Sequence, residues 1–248
     1  MKSEKLQINA LTLHLIAMFC MLLDHMWATV VAGHMWMTFV GRIALPIFAF
    51  MIVEGYFHTH DFKKYLQRLL VFALLSEIPF NLMMGGRLAE PFHQNVIWTF
   101  VISLLCIRGM EKVRHGARKP VLKVLACVGI AVLACAAAMI GMTDYSIHGV
   151  LTVLVFYFFR GRTWPKLLGQ LAGLYLINFV IIQNMDIPLM LLGHEFFFPT
   201  QGFAILALIP IWLYRGKQGP HGKWIQYACY AFYPVHILVL SLLALAGF

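Results

Sequence analysis

Val40-Gly41-Arg42-Ile43-Ala44-Leu45-Pro46-Ile47-Phe48-Ala49-Phe50 is an apolar helical run with one cation inside it. Upstream, Asp24-His25 interrupts a second apolar run, Leu11 to Val31. Both runs read as membrane spans. A charge at bilayer depth costs about 2.5–3.5 kcal/mol on insertion scales, so such residues face a cavity or a partner. Arg42, Asp24 and His25 are therefore the first candidates for a working site.

The rest of the chain agrees with a membrane reading. Of its 248 residues 61% are apolar and only 12% are charged, far from the balance of a soluble domain. Several apolar runs reach the roughly 20 residues needed to cross a hydrocarbon core. The expected fold is all-α, a polytopic transmembrane helix bundle forming a single domain over residues 1–248. The Leu11–Val31 run follows Lys2 and Lys5 as a signal peptide would, but it is long, lacks a small-residue cleavage site and holds Asp24-His25, so it reads as a retained first span. Cys20, Cys106, Cys127, Cys135 and Cys229 lie in apolar runs without CxxC or zinc spacing, which points to small buried hydrophobes and to no metal.

Nine spans are expected, near residues 11–31, 35–57, 65–84, 93–110, 120–141, 147–160, 165–182, 201–214 and 225–246. With the N-terminus in the cytoplasm, the cytoplasmic segments collect 17 of the 19 basic residues, leaving only Arg87 outside and Arg42 within a span. This is the positive-inside pattern of an inner-membrane protein. The net charge of +9 then reflects topology rather than nucleic-acid binding. The opposite segments carry Glu90, Asp144, Asp186 and Glu195 with His34, His148 and His194. The longest, Gln183 to Gln201, is too short for a clear span and reads as re-entrant or interfacial, or as a tenth, broken helix. The absence of an internal repeat counts against an inverted-repeat transporter.

Helical rise turns position into depth. Asp24 stands roughly 20 Å above the cytoplasmic edge, Glu77 roughly 18 Å and His236 roughly 17 Å, while Arg42 descends about 10 Å from the opposite edge to meet them. Four helices thus bring titratable groups to one layer, where Arg42 can pair with Asp24 or Glu77 and His25 and His236 can exchange protons near neutrality. The plain alternative is an ion-pair network that locks helices together. His14, three turns before His25 on the same face, either meets water and headgroups or lines a channel from the cytoplasm. Glu54 is expected to pair with Lys63 or Lys64. Asp144 or Ser146 serves as a helix cap or stands above the polar layer as an acceptor site.

Several segments together resemble the TraX family of bacterial membrane proteins: Leu23-Asp24-His25, Gly41 to Phe50, Glu54-Gly55-Tyr56, Tyr65-Leu66-Gln67-Arg68-Leu69, Glu77-Ile78-Pro79-Phe80, Asp144-Tyr145-Ser146 with Gly149-Val150-Leu151, and Tyr230 to His236. The resemblance spans nearly the whole chain. It implies a role like N-terminal acetylation of conjugative pilin. The family also looks distantly similar to type 3 membrane acyltransferases, through Tyr233-x-x-His236 and the early histidine, although His14 stands where that larger family carries an arginine.

The resemblance implies acetyl transfer from cytoplasmic acetyl-CoA to an amine or hydroxyl of an exported peptide or glycan, at a site in contact with membrane lipid. Lys63, Lys64 and Arg68, or Arg160 and Arg162, would meet the CoA phosphates. Of these Arg68 is preferred, because it resembles a basic residue after the second span of the relatives. The catalytic set would be His25 as general base, Asp24, Arg42 and Glu77 as its positioning groups, and His236 as polarising group or second acid/base. Asp144, Tyr145 and Tyr233 would face the acceptor. The same residues would also suit a proton-coupled transporter, and a noncatalytic pilus or envelope assembly factor is a third reading. No GxxxxGK[ST] phosphate loop is present, which argues against nucleotide-driven work.

Overall fold

A computed structural model describes residues 7–116, 119–182, 186–191, 194–220 and 222–247. Lys2, Lys5 and Arg118, which entered the charge count, lie outside the described residues, as do residues 183–185 and 192–193 of the segment leading to Gln201.

The helices are α1 (Ala10–Thr29), α2 (Trp36–Gly41), α3 (Ala44–His58), α4 (Phe62–Gly85), α5 (Val96–His115), α6 (Pro120–Ile140), α7 (Ser146–Phe158), α8 (Trp164–Tyr175), α9 (Leu208–Leu213) and α10 (Lys223–Leu245). Each of the nine expected spans has helical residues at its centre. Among the described residues, five stretches are both long and apolar enough to cross a membrane: Ala10–Thr29, Trp36–His58, Phe62–Gly85, Pro120–Ile140 and Lys223–Leu245. The expectation of nine full spans is thus met only in part. Helix α5 is long enough, but its last two turns carry Arg108, Glu111, Lys112 and Arg114, and α7 has only 13 residues.

Local chemistry fixes the helix starts. Asn9 accepts from the Thr12 backbone N–H at 2.9 Å, Asp61 from Lys64 N–H at 3.1 Å and Asn95 from Ile97 N–H at 3.0 Å. Each side chain satisfies one of the orphan donors of a first turn.

The second expected span is broken where its charge sits. Helix α2 ends at Gly41 and α3 begins at Ala44, with Arg42 and Ile43 between them. The cause is Pro46. It has no N–H to give the Arg42 carbonyl four residues earlier, and the chain tightens there through an Ile43 N–H to Val40 C=O bond of 3.1 Å. The two pieces still run on as one segment and form the most enclosed of the five spans. Helix α3 packs on α1, α5 and α7, and α1 and α4 both pack on α10. Helix α6 is the least enclosed of the five and presents Val121, Leu125, Val132 and Leu133 outward, as expected of a lipid-facing helix.

The described residues of the segment before Gln201 do not form the tenth, broken helix that was one reading of it. Asp186–Leu191 (β1) and His194–Pro199 (β2) form an antiparallel hairpin, with Asp186 opposite Pro199 and Leu191 opposite His194. The run Glu195-Phe196-Phe197-Phe198 is rich in residues that favour a pleated strand. Phe198 anchors the hairpin against Phe179 and Phe203. On either side the helix geometry is irregular. A π-helical turn, Leu176–Ile181, closes α8, and a 3₁₀ stretch, Thr200–Ala207, leads into α9.

Candidate active site

Helices α1 and α10 pack on each other, and this puts the two histidines in contact. His25 Nδ1 lies 2.7 Å from His236 Nε2. Their planes differ by only 7° at a centroid separation of 5.0 Å, so the rings lie edge to edge in nearly one plane with the nitrogens facing. The other nitrogen of His236, Nδ1, lies 2.6 Å from the Phe232 carbonyl one turn back. A carbonyl can only accept, so the proton is on His236 Nδ1. In the neutral ring Nε2 is then an acceptor, and His25 Nδ1–H donates to it. That leaves the His25 Nε2 lone pair without a partner among the described residues, at the open end of the hydrogen-bonded series Phe232 C=O, His236, His25.

The cation of the layer is held by Thr38 and Asp24. Thr38, one turn before Arg42, donates its hydroxyl to Asp24 Oδ1 at 2.6 Å and accepts from Arg42 Nη2 at 2.8 Å. The direct Arg42–Asp24 approach is 3.6 Å. Arg42 Nη1 reaches the Tyr145 hydroxyl at 3.2 Å. Helix α2 can press this close because residue 41 is glycine. A Cβ there would overlap the Asp24 side chain, 2.7 Å from its Cγ. Arg42 Nε is buried and has no partner among the described residues.

Glu77 was expected to be an alternative partner of Arg42. Its carboxylate instead takes the Asn95 backbone N–H at 3.3 Å, the Asn95 side-chain amide, and Trp98 Nε1 at 2.7 Å. It ties α4 to the first turn of α5, where the helix dipole favours a negative charge. Asp144 Oδ1 accepts from the Tyr145 N–H at 3.0 Å and lies 3.8 Å from His93 Nε2. The carboxylate holds the imidazole pKa of His93, which lies in the loop before α5, above its ordinary value. Neither Asp144 nor Ser146 caps α7. The cap position is Tyr145, with no side-chain cap bond. Met142, Tyr145 and Ser146 all have positive φ (49°, 57° and 38°), a conformation that non-glycine residues hold at some cost. Here it presents the Tyr145 ring to Arg42.

Two cavities meet at this layer. One, of about 250 Å³, starts beside Ala10, Leu11, Gln218 and Gly222 and passes His14 and Met18. The other, of about 460 Å³, contains Asp24, His25, Arg42, Asp144, Tyr145, His148 and Gln201 on its wall. Met21, Phe48, Val96, Phe100 and Tyr233 line both, so the cavities are separated only by a shared partition. Tyr233 in that partition has its ring 6.3 Å from His25 and 5.9 Å from His236. His14 lines the first cavity, its Nδ1 2.8 Å from Met51 Sδ.

The expected phosphate ligands divide. Arg68 lies with its guanidinium 6.0 Å from the Tyr65 ring and against Tyr230, and both tyrosines line the first cavity. Lys64 is exposed and pairs with Asp61 at 3.4 Å. Lys63 lines a separate surface cleft with Arg108 and Lys112. Arg160 binds Glu54 (Nε to Oε1 2.6 Å) and covers the Phe57 ring, and His58 Nδ1 lies 3.7 Å from the same carboxylate, so Glu54 pairs with Arg160 and His58 in place of the expected Lys63 or Lys64. Arg162 donates to the Tyr214 carbonyl at 2.6 Å. Thr38, His148 and Gln201 are site residues that sequence reasoning missed. Only Thr38 left a signal, as a hydroxyl one helical turn from a buried arginine.

Comparison with known proteins adds a family and a relative. The family model described as TraX protein matches residues 10–244. A protein of Dichelobacter nodosus, "Probable fimbrial assembly protein FimC, serogroup H1", is 28% identical over 260 residues, covering 96% of each chain. No solved structure matches.

Proposed function

Because the chain belongs to the TraX family, we propose that it is a membrane acetyltransferase that moves an acetyl group from cytoplasmic acetyl-CoA to an amine of an exported subunit, in the service of pilus or fimbrial assembly. The observation that carries this reading is the His25–His236 contact of 2.7 Å, at a histidine that lines the second cavity and whose Nε2 has no partner among the described residues. An ion-pair network that only locks helices together has no use for an oriented lone pair. An acyl transfer needs one.

In the proposed orientation the N-terminus is cytoplasmic and the protein sits in the bacterial inner membrane. The mouth of the first cavity, at Ala10, Leu11, Gln218 and Gly222, then opens to the cytoplasm. The pantetheine arm of acetyl-CoA would thread this cavity and bring its thioester to the partition at Tyr233. Lys217 and Lys223 flank the mouth in sequence, and Arg68 stands behind Tyr65 and Tyr230, so these cations suit the CoA phosphates. Arg160 and Arg162 are already bonded, to Glu54 and to the Tyr214 carbonyl, which makes them the weakest of the expected phosphate ligands. The acceptor would enter the second cavity from the opposite side, past Asp144 and Tyr145. The relative's printed name, a fimbrial assembly protein, favours a peptide acceptor over a glycan.

The chemistry follows from the tautomers. The acceptor nitrogen attacks the thioester carbonyl carbon, and a C–N bond forms as the carbonyl becomes an oxyanion. His25 Nε2 takes the amine proton. Its Nδ1 proton can move to His236 Nε2, so that positive charge spreads over two rings. The oxyanion collapses, the C–S bond breaks, and the relay returns one proton to the CoA thiolate. Tyr233 stands where its hydroxyl can donate to the oxyanion. Asp24 and Thr38 hold Arg42, which keeps a positive field beside the developing negative charge.

A noncatalytic assembly role is the second reading, and the relative's name is equally compatible with it. Purified protein in detergent with labelled acetyl-CoA separates the two. The enzyme reading expects saturable CoA binding and slow thioester hydrolysis. A folded protein that binds no CoA would leave the assembly role.

A further inference from the structure

Away from the polar layer, a cleft of about 710 Å³ opens where α3 ends, α4 begins and the last turns of α5 pass them. Its wall includes Phe57, Phe62, Lys63, Leu105, Arg108 and Lys112. None of its lining residues belongs to either of the cavities that meet at Tyr233, so the acetyltransferase reading does not use it. Its size is that of a small-ligand site, about 300–1,000 Å³.

The charges on its wall do not cancel. The wall holds two carboxylates, Asp61 and Glu111, and both are engaged elsewhere. Asp61 accepts from the Lys64 backbone N–H and pairs with Lys64 Nζ at 3.4 Å. Glu111 accepts from the Tyr157 hydroxyl at 2.6 Å and lies 3.3 Å from both Arg114 Nη1 and His115 Nε2. Lys63, Arg108 and Lys112 have no ion-pair partner among the described residues. Arg108 and Lys112 stand one turn apart on α5 and share a face. Arg108 also lies over the Phe62 ring, Cζ 5.1 Å from its centroid, which brings the α5 cations to the residue next to Lys63. Unpaired cations from two helices therefore share one cleft.

Such a set calls for an anion with several acceptor oxygens, as a phosphate has. The apolar part of the wall narrows the source. A nucleotide base would need an open aromatic face, yet Phe62 already carries the Arg108 guanidinium and Phe57 that of Arg160 at 4.3 Å. Leu105, on the cleft wall about one turn closer to the middle of α5 than Arg108, is 48% exposed. Cations at a helix end bordered by an exposed apolar side chain match a lipid, with the headgroup at the charges and an acyl chain beside the leucine. Basic pockets between helices at a membrane edge bind such headgroups. We propose that the cleft holds an anionic phospholipid, its phosphate among Lys63, Arg108 and Lys112 and an acyl chain along Leu105. In the orientation proposed above, the lipid comes from the cytoplasmic leaflet.

The positive-inside bias already places cations at this end of the bundle, so the test separates a site from bulk charge. The probes are phosphatidylglycerol and phosphatidylcholine with the same acyl chains, added to the full-length protein in a neutral detergent and followed by native mass spectrometry. Wild type should bind phosphatidylglycerol at least roughly tenfold more tightly. Arg108→Gln with Lys112→Gln should bring that preference down to about twofold or less. Lys112→Gln alone changes one exposed side chain and should cut it by about threefold, which keeps the test open if the double variant does not fold. Lys166→Gln with Arg215→Gln removes the same charge from exposed positions outside the cleft and should leave the preference intact. Inorganic phosphate or CoA in tenfold excess should leave the lipid bound. Equal binding of the two lipids by wild type overturns the proposal, as does a preference that survives in the cleft variants or is lost equally in the Lys166 and Arg215 pair. Displacement by phosphate or CoA would identify a soluble ligand and overturn the lipid assignment.

Discussion

His25 and His236 are 211 positions apart in sequence, yet Nδ1 of one faces Nε2 of the other at 2.7 Å. The bond joins the first long helix to the last. Its polarity is set at the far end, where the Phe232 carbonyl takes the His236 Nδ1 proton. A His236→Phe variant keeps a flat ring next to Phe232 but removes the acceptor for His25. Acetyl transfer should fall by about 10- to 100-fold with the KM for acetyl-CoA unchanged, and the acidic limb of the pH–rate profile should move. A wild-type profile in this variant would assign His236 to packing.

Thr38 is the hinge of the charge cluster, giving its proton to Asp24 and taking one from Arg42. Thr38→Val has nearly the same shape and can do neither. We expect a loss of about 1–3 kcal/mol in stability, read as a lower unfolding temperature in detergent. Arg42→Lys should fail to restore activity, because an ammonium cannot reach Thr38 and Tyr145 with separate arms of one planar fork. Wild-type melting in Thr38→Val would show that Arg42 and Asp24 pair without it.

The His93–Asp144 contact predicts a pH dependence. Asp144 raises the pKa of His93 above the ordinary 6.5. A raised folded value means the stabilisation is fully present below the unfolded pKa and disappears as pH rises through the folded one. The unfolding temperature should therefore drop slightly from pH 6 towards pH 8. The contribution is below about 1 kcal/mol because the pair is partly exposed. His93→Gln should abolish this component. An equal drop in the variant would place its origin elsewhere.

Orientation is testable by cysteine labelling in intact cells, on a background without the five native cysteines, all of them free. Reagent from the cytoplasmic side should reach cysteines at Lys119 and Arg162. Reagent from outside should reach those at Asp144 and Glu195. Outward labelling at position 119 would reverse the proposed path of acetyl-CoA.

The polar layer was legible because charge in an apolar helix is so costly that it marks itself. Asp24, His25, Arg42 and His236 were found that way, and all but His236 line the second cavity. Rise per residue gave their depth but not their azimuth. That is why Glu77, at the right height, was read as a partner of Arg42 when it faces Asn95 and Trp98. Uncharged hydrogen-bonding residues leave no such mark, so Thr38 and Gln201 passed as ordinary span residues. The hairpin was hidden for a different reason. Apolar runs of six or so residues have no period that separates strand from helix, and only the crowding of phenylalanines at 196–198 leaned towards strand.

Acetyl transfer by His25→Ala tests the central claim most directly. The variant should bind CoA as wild type does, because His25 lies beyond the cavity that would hold the pantetheine arm. Its transfer of labelled acetyl groups to a peptide amine should fall by at least roughly a hundredfold, a typical general-base contribution. Transfer at the wild-type rate, with CoA binding intact, would contradict the assignment of His25 as the base.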